Sequence, residues 1–390
     1  MPGDDQLVGG RIGIRSAGIA VMAARSALRR PEIDAANGVA ASALRLARTA
    51  AGIMAEVVPG AARGEWRELA NKLHAFEWFT FAGARLGGPA LGPAALARQV
   101  PRVAALADTY TGLWAMEGLG YACARAGPEA WPPRELLAGG AGSSLGGLPE
   151  QAMVPLSTGS ALAAAERLLA EIARVAEGAD RDRVRRWLEQ LAGDAGPGAR
   201  ELATEALGLV ARTLDPWRLG RLDALLAAID PVLAEYLWHG VGRGLYFTPM
   251  NLPPWTGGTC RAFGKAWTEP PHDAGRRNAT AGLAWAMTLV NVRSPEVAAA
   301  SLAGHGEGAG AAAAVANGAS SALIVWRQWA GSDALLARFL GYRPPGGSGT
   351  IGARRWRRIV DRCEAALSGP PLDPGCRGDS LAALFRFHEA

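Results

Sequence analysis

Hydrophobic and polar residues follow a helical period along most of the chain. Blocks rich in Ala, Leu, Arg and Glu are separated by stretches that contain Gly and Pro, which is typical of amphipathic helices joined by turns. The clearest blocks span residues 161–175, 181–192, 199–214 and 217–229. No run of β-branched and aromatic residues alternates with polar residues in the manner of a strand. The pattern therefore predicts an all-α protein.

A glycine motif recurs inside the helical blocks. A polar or small residue precedes the glycine, and the second residue after the glycine is usually Gly, Ala or Ser. The motif glycines are Gly83, Gly118, Gly159, Gly240, Gly282 and Gly318. They lie 35, 41, 81, 42 and 36 residues apart, and Ala206 takes the glycine position within the long gap. This spacing predicts two-helix repeats of about 40 residues that form an α/α solenoid or toroid.

The glycines need a physical explanation, because a glycine in the middle of a helix costs roughly 0.5–1 kcal/mol relative to Ala. Close approach of neighbouring helices is the simplest one, since a missing side chain lets two backbones touch. Aromatic residues beside the small ones would then fill the remaining space of the core. Room for a ligand along the inner helices is the second explanation, and the sequence leaves both open.

The chain divides into three parts in this interpretation. Residues 1–70 form a helical N-terminal extension, residues 71–330 the helical repeat domain, and residues 331–390 a C-terminal helical tail. The long uncharged stretch 308–326 consists mostly of Ala, Gly, Ser and Asn. That composition favours tight helix packing over insertion into lipid, so we expect no membrane partner.

The formal net charge is +5, and the basic residues are almost all arginines, because Lys72 and Lys265 are the only lysines. A bias toward Arg, Ala, Gly and Pro is what a GC-rich coding sequence produces, so the charge alone does not indicate an acidic partner. The dense arginine cluster at residues 354–358 spreads around a helix when placed in helical register. We therefore expect a solvated helix surface there and no nucleic-acid partner.

The cysteines and histidines suggest no metal or cofactor site. The four cysteines stand at positions 123, 260, 363 and 376 without a CxxC pair, which fits a reduced cytoplasmic location. No Cys or His pair has the spacing of zinc ligands. Phosphate-loop and dinucleotide-binding motifs are absent as well. The sequence therefore predicts a function without a cofactor.

His239 is the most distinctive candidate for chemistry. It directly precedes Gly240 in the aromatic stretch EYLWHGVGRGLYF, with Glu235 four residues before it and Arg243 four residues after it. Such a stripe on one helix face would orient an imidazole for proton transfer. Glu117 holds the same repeat position as His239 in an earlier unit. A hydrogen-bonded histidine in the core is the structural alternative.

Stacked in register, the repeats would place the residues before the glycines on equivalent inner faces. Among these residues are Glu117, Thr158, His239 and Asn317. Polar groups within an aromatic-lined interior are typical of a ligand channel and equally of a core hydrogen-bond network. The predicted catalytic residues are His239, Glu117 and Arg243, and the predicted substrate-binding residues are Trp114, Tyr121, Trp238, Tyr246, Trp285 and Asn317.

Five stretches follow one another between residues 72 and 329: FEWFTFAGA, YTGLWAMEGLGYACARAG, HGVGRGLYF, NATAGLAWAMTLV and ANGASSALIVWR. In order and spacing this series resembles a bacterial family of enediyne biosynthesis proteins, encoded beside enediyne polyketide synthases. The stretch HGVGRGLYF is the most specific part of this resemblance. Two departures stand out: Glu117 occupies a position where the family tends to be apolar, and STGSALA at Thr158 is reduced relative to the family motif. The resemblance implies a pathway context and no mechanism.

The leading functional hypothesis is a secondary-metabolite biosynthesis protein. It would bind an apolar polyene or polyketide intermediate in the repeat interior and assist its conversion without a cofactor. The alternative is a non-catalytic helical-repeat scaffold or ligand-binding protein of the same pathway. Expected partners are the apolar intermediate and, further, polyketide synthase or other pathway proteins, while homo-oligomerisation stays open. A deep interior cavity reached by Glu117 and His239 would favour the first hypothesis, and solid packing the second.

Overall fold

A computed structural model describes residues 34–81, 93–105, 108–126, 148–172, 180–195, 198–254, 257–305, 309–345, 349–369 and 383–388. Within these residues the chain forms fifteen α-helices and no strand. The helices are α1 (Asp34–Val57), α2 (Ala61–Phe81), α3 (Pro93–Ala104), α4 (Thr109–Ala126), α5 (Met153–Ile172), α6 (Asp180–Ala195), α7 (Ala199–Leu214), α8 (Leu219–Ile229), α9 (Pro231–Phe247), α10 (Gly258–Thr268), α11 (Asp273–Val290), α12 (Pro295–Gly304), α13 (Ala309–Ala330), α14 (Ala334–Gly341) and α15 (Ile351–Leu367). The all-α prediction is confirmed, whereas the solenoid or toroid stays a prediction.

The longer helices pack side by side in chain order. Helices α2, α4, α5, α7, α9, α11, α13 and α15 each contact the next in this series, and α9 packs most extensively against α7 and α11. Other helices stand between several of them in the chain, and α8 and α10 both lie against α9. The two-helix repeat stays a prediction. The series of long helices, called the inner row below, contains the repeated glycine motif.

The glycine motif lies at the closest contacts within the inner row. A Cβ atom on Gly240 in α9 would lie 1.7 Å from the carbonyl oxygen of Glu205 in α7. A Cβ atom on Gly282 in α11 would lie 1.9 Å from the carbonyl oxygen of His239 in α9. Real Cβ atoms do not come so near another heavy atom, so only glycine fits. The same holds for Gly118, Gly159 and Gly318. Close helix approach, the first of the two explanations, is confirmed at these positions; Gly83 lies outside the described residues.

In the motifs of α4 and α9, the two glycines contact the neighbouring helices on opposite sides. In α9, Gly240 touches α7, whereas a Cβ on Gly242 would lie 2.0 Å from the carbonyl oxygen of Ala279 in α11. In α4, Gly118 touches α2, whereas Gly120 faces the carbonyl oxygen of Leu156 in α5. Two residues along an α-helix correspond to a rotation of about 200°. The Gly-x-Gly spacing therefore places one glycine on each side of the helix, where it lets the neighbouring helix come close.

Buried hydrogen bonds connect the first part of the chain to the late inner helices. Asn71 Nδ2 in α2 donates to Asn291 Oδ1, 2.9 Å away, and to Ser294 Oγ, 3.1 Å away. Tyr110 OH in α4 donates to the carbonyl oxygen of Val290 over 2.7 Å. The end of α11 is thus fixed against α2 and α4. Helix α2 begins at Ala61 and includes Asn71, so it spans the domain boundary that the sequence predicts at residue 70. That boundary stays a prediction.

Lys72 forms a second buried connection between α2 and α9. Its Nζ lies 3.3 Å from Glu68 Oε1, 3.4 Å from the carbonyl oxygen of Asn251 and 3.9 Å from the ring centre of Tyr246. Burial lowers the pKa of Lys72, while the nearby Glu68 acts against that shift. Carboxylate, carbonyl and aromatic face together satisfy this ammonium group, so we assign it a structural role.

None of the described helices combines the length and the apolar character needed to cross a lipid bilayer. Helix α13 covers most of the uncharged stretch at 308–326, and its Gly318 touches the carbonyl oxygen of Ala281 in α11. The expected tight packing of that stretch is therefore observed.

Candidate functional site

A cluster of four ionisable side chains, called the central cluster below, lies inside the inner row. Glu205 in α7 accepts hydrogen bonds from Arg243 Nη1 over 2.8 Å and lies 3.1 Å from His239 Nδ1, both in α9. Glu117 in α4 lies 3.6 Å from Arg243 Nη2. The four residues are at most 8% exposed. The structure thus brings together the three predicted catalytic residues and adds Glu205 to them.

The repeat register explains why these side chains meet. Glu117, Glu205 and His239 each directly precede the first small residue of a glycine motif. Since that small residue brings neighbouring helices into contact, the residues before it lie at one level of the inner row. Glu205 was absent from the sequence prediction because its motif carries Ala206 instead of glycine. Applying the register to that unit would have found it.

Glu205, not Glu235, is the carboxylate that orients His239. Glu235 instead forms an ion pair with Arg386 in the C-terminal segment, with 3.4 Å between Nη1 and Oε2. The prediction of a Glu–His–Arg stripe within α9 is therefore wrong at Glu235. The acceptor comes from the neighbouring helix α7, a contact that spacing along one helix cannot predict.

Burial governs the charge states in the central cluster. It lowers the pKa of His239, against the opposing effect of Glu205, so the imidazole is neutral. Because a carboxylate oxygen only accepts hydrogen bonds, we assign the ring hydrogen to Nδ1. Burial also raises the pKa of Glu117 to about 7, with Arg243 opposing and Glu205 reinforcing the shift. The cluster thus combines a neutral histidine with a carboxyl group that titrates near neutrality.

Aromatic rings cover the central cluster. The Arg243 guanidinium lies 4.5 Å from the ring centre of Trp285, close enough for a cation–π contact. Phe385 stands edge-on to His239, with 6.1 Å between ring centres, and packs on Trp285 at 5.5 Å. Phe385 is fully buried. A side chain of the protein itself therefore fills the space next to His239.

The C-terminal segment, residues 383–388, holds Phe385 in this position. Phe387 N donates to Asn278 Oδ1 in α11 over 2.8 Å, and Asn317 Nδ2 in α13 donates to the carbonyl oxygen of His388 over 3.5 Å. Arg386 contributes its ion pair with Glu235. The segment is thus bound by α9, α11 and α13, and it closes the central cluster.

The other predicted binding residues lie in separate environments. Trp238 Nε1 donates to Asp223 Oδ1 in α8 over 2.7 Å, and Tyr121 OH donates to Glu166 Oε2 in α5 over 2.7 Å. Trp114 packs edge-on against Tyr110. Tyr246 belongs to the Lys72 contact, and Asn317 to the C-terminal segment. Only Trp285 of this set touches the central cluster.

Two buried donors, one in the central cluster and one on the ring that covers it, stay unsatisfied. Arg243 Nε and Trp285 Nε1 have no hydrogen-bond partner among the described residues. A buried donor without an acceptor costs about 1–3 kcal/mol, and such atoms often mark a site for water or a ligand. The described residues contain no group of His, Cys, Asp and Glu that could hold a metal ion.

A pocket of about 560 Å³ opens between α11, α12, α13, α15 and the C-terminal segment. Four arginines and two histidines line it: Arg277, Arg355, Arg358, Arg362, His305 and His388. Apolar side chains, among them Leu302, Ile359 and Phe387, complete the lining, and none of the described lining residues is acidic. This site is called the arginine pocket below.

The arginine pocket includes part of the arginine cluster that the sequence contains at residues 354–358. Arg355, Arg358 and Arg362 stand at positions i, i+3 and i+7 of α15, so they share one helix face. All three line the same pocket. The arginines of the 354–358 cluster do spread around the helix, but Arg362, one turn later, completes a basic face with two of them. Arg354, Arg357, Arg358 and Arg362 are exposed, in agreement with the solvated helix surface that the sequence predicts.

Comparison of the chain with protein-family models, with curated proteins and with solved structures yields no match. The candidate site consequently rests on geometry and chemistry, and the resemblance to enediyne biosynthesis proteins stays an expectation.

Proposed function

We propose that the protein is a non-catalytic helical-repeat protein that binds a small amphipathic anion in the arginine pocket. Of the two hypotheses from the sequence, this corresponds to the ligand-binding alternative. A role in enediyne or polyketide biosynthesis is part of the proposal only through the sequence resemblance.

One observation carries the proposal: an open pocket combines convergent cationic groups with an apolar lining. Its volume of about 560 Å³ lies in the usual range for small-molecule sites, roughly 300–1,000 Å³. The central cluster, by contrast, is closed. His239 and Arg243 are no more than 2% exposed, and Phe385 occupies the adjoining space.

The proposal can be tested with 1-anilinonaphthalene-8-sulfonate, an amphipathic anion whose fluorescence rises on binding. We expect saturable binding to the folded protein and a loss of at least tenfold in affinity for the double variant Arg358→Gln/Arg362→Gln. Arg357→Gln, on the same helix but outside the lining, is the matched control. Circular dichroism verifies the fold of each variant. Equal affinity of wild type and the double variant would contradict the proposal.

A second candidate function is the proton-transfer chemistry first predicted at His239. It is favoured by the neutral His239 oriented by Glu205, the raised pKa of Glu117, and the unsatisfied donors of Arg243 and Trp285. It requires the C-terminal segment to leave. The variant His239→Gln separates the two functions, because it removes a general base, worth typically 10²–10⁴ in rate, and changes no residue that lines the arginine pocket. Conversion of a pathway intermediate that depends on His239 would support the second function.

A further inference from the structure

The C-terminal segment belongs to two sites at once. Phe385 covers His239 of the central cluster, whereas Phe387 and His388 line the arginine pocket. Only Arg386 stands between the two phenylalanines in the chain. A movement of this segment therefore changes both sites.

The segment is closed on itself. His388 Nε2 donates a hydrogen bond to the carbonyl oxygen of Ala383 over 3.0 Å, which joins its first and last residues. Leu384 and Phe385 between them are buried. A short loop whose ends are joined and whose side chains are packed moves as a unit. Displacement of Phe387 and His388 would therefore displace Phe385 as well.

The contacts that anchor the segment are separate from the packing between the inner helices. Phe387 N donates to Asn278 Oδ1 over 2.8 Å, and Arg386 forms a partly exposed ion pair with Glu235. The ring of Phe387 packs on small side chains of α11 and α13. Short segments of this kind open at a lower free energy than core helices. Opening of the segment should therefore cost less than unfolding of the inner row.

We propose that the C-terminal segment couples the two sites, so that a ligand in the arginine pocket keeps the central cluster closed. The inference rests on the ligand-binding function proposed above. A ligand that lies against Phe387 and His388 makes these contacts only while the segment is in place. It therefore binds the closed form more tightly and shifts the equilibrium toward that form. By reciprocity, a change that favours opening lowers the affinity for the ligand.

The coupling links the two candidate functions. Proton transfer at His239 requires the C-terminal segment to leave, and an occupied arginine pocket opposes that step. The pocket ligand would then inhibit any chemistry at the central cluster. At a ligand concentration ten times its Kd, exclusive binding to the closed form lowers the open population about tenfold.

Thiol labelling of the variant Leu384→Cys measures the opening. Leu384 is buried, the substitution changes no described residue of the pocket lining, and Phe385 stays in place. Iodoacetamide, which is uncharged, modifies the new thiol only when the segment opens, and mass spectrometry follows the labelled peptide. We expect 1-anilinonaphthalene-8-sulfonate at ten times its Kd to slow this labelling about tenfold. The buried Cys123 in α4 is the reference within the same molecule, because its labelling reports unfolding of the inner row.

The double variant Leu384→Cys/Phe385→Ala tests the reverse direction. Without the ring of Phe385 the open form gains population, which faster labelling of the thiol verifies. The affinity for the fluorescent anion should then fall with the remaining closed fraction, by about threefold or more. Leu226→Ala, a buried substitution in α8 that changes no described residue of the pocket lining, is the control. It should leave the affinity unchanged.

The outcomes separate the inference from the proposed function. Suppose that binding of the fluorescent anion depends on Arg358 and Arg362, but labelling at position 384 slows no more than labelling of Cys123. The coupling is then wrong while the ligand-binding function stands. The same conclusion follows if the double variant labels fast and keeps the wild-type affinity. Faster labelling with the anion bound would mean that the ligand displaces the segment, which also overturns the coupling. If the anion binds without these arginines, both proposals are wrong.

Discussion

At the scale of single residues, the hydrogen atom that Gly240 carries in place of a side chain sets the distance between α7 and α9. The backbone oxygen it faces, that of Glu205, belongs to a residue of the central cluster. Gly282 likewise faces the backbone oxygen of His239. The same close contacts thus determine the helix spacing and hold the cluster residues in place.

Gly240→Leu should therefore destabilise the protein by about 3 kcal/mol or more, because overpacking against a backbone atom cannot be relieved by a rotamer change. Urea unfolding followed by circular dichroism measures the loss. The control is Gly264→Leu in α10, where an added Cβ meets nothing within 4 Å. There we expect no loss, since Leu has the higher helix propensity. Equal effects of the two substitutions would show that close approach is not the reason for Gly240.

At the scale of helices and segments, the periodicity predicts well where local sequence decides the structure. The block predicted at 199–214 coincides with α7 (Ala199–Leu214), and the block at 181–192 lies within α6 (Asp180–Ala195). The block at 161–175 lies mostly in α5, which begins earlier at Met153. Helix ends depend on tertiary contacts, which the period does not contain.

The candidate site was predicted only in part, for the same reason. The repeat register indicated Glu117 and His239 at one level, and the structure places them together. The same register contains Glu205, directly before Ala206, but the contact of Glu205 with α9 arises only when the helices pack. Phe385 belongs to a short segment whose burial comes from its neighbours, and no local pattern marks it.

The C-terminal segment should contribute stability through Phe385. Phe385→Ala is expected to cost about 3–5 kcal/mol, the usual range for a buried phenylalanine, and to speed hydrogen exchange in α9 and α11. Arg386→Ala in the same segment is the control, because it removes a partly exposed ion pair worth under about 1 kcal/mol. Mass spectrometry of deuterium uptake provides the measurement. Unchanged exchange in both variants would mean that the segment does not close the cluster.

At the scale of the whole molecule, two buried carboxyl groups should lower the stability as the pH rises above about 5, while histidines whose pKa is lowered by burial, such as His74 and His239, act in the opposite direction below pH 6.5. Burial raises the pKa of Glu117 to about 7, and burial likewise raises that of Glu166, against Tyr121 and Arg125. Between the ordinary value of 4.5 and about 7, the unfolded carboxyl ionises while the folded one stays protonated. At these two groups the unfolded state then binds fewer protons, so their contribution to the free energy of unfolding decreases as the pH rises through this window.

Glu117→Gln isolates this effect. Between pH 4.5 and 8 the free energy of unfolding of the variant should rise relative to that of the wild type by about 3 kcal/mol at most, because only the wild type carries the carboxyl group with the raised pKa. Urea unfolding at several pH values gives the free energy of unfolding of the wild type and of the variant as a function of pH. Glu189→Gln, at an exposed position of α6, should yield a curve parallel to that of the wild type. A parallel curve for Glu117→Gln as well would show that Glu117 does not titrate near neutrality.

The hydrogen bonds between Asn71 and the end of α11 also have a consequence for the timing of biosynthesis. Asn291 is 220 residues later in the chain than Asn71. At a translation rate of roughly 5–20 residues per second, α2 leaves the ribosome about 10–45 s before its partner exists. During that interval Asn71 lacks its hydrogen-bond partners Asn291 and Ser294. The early helices would then be the part of the nascent chain most in need of a chaperone.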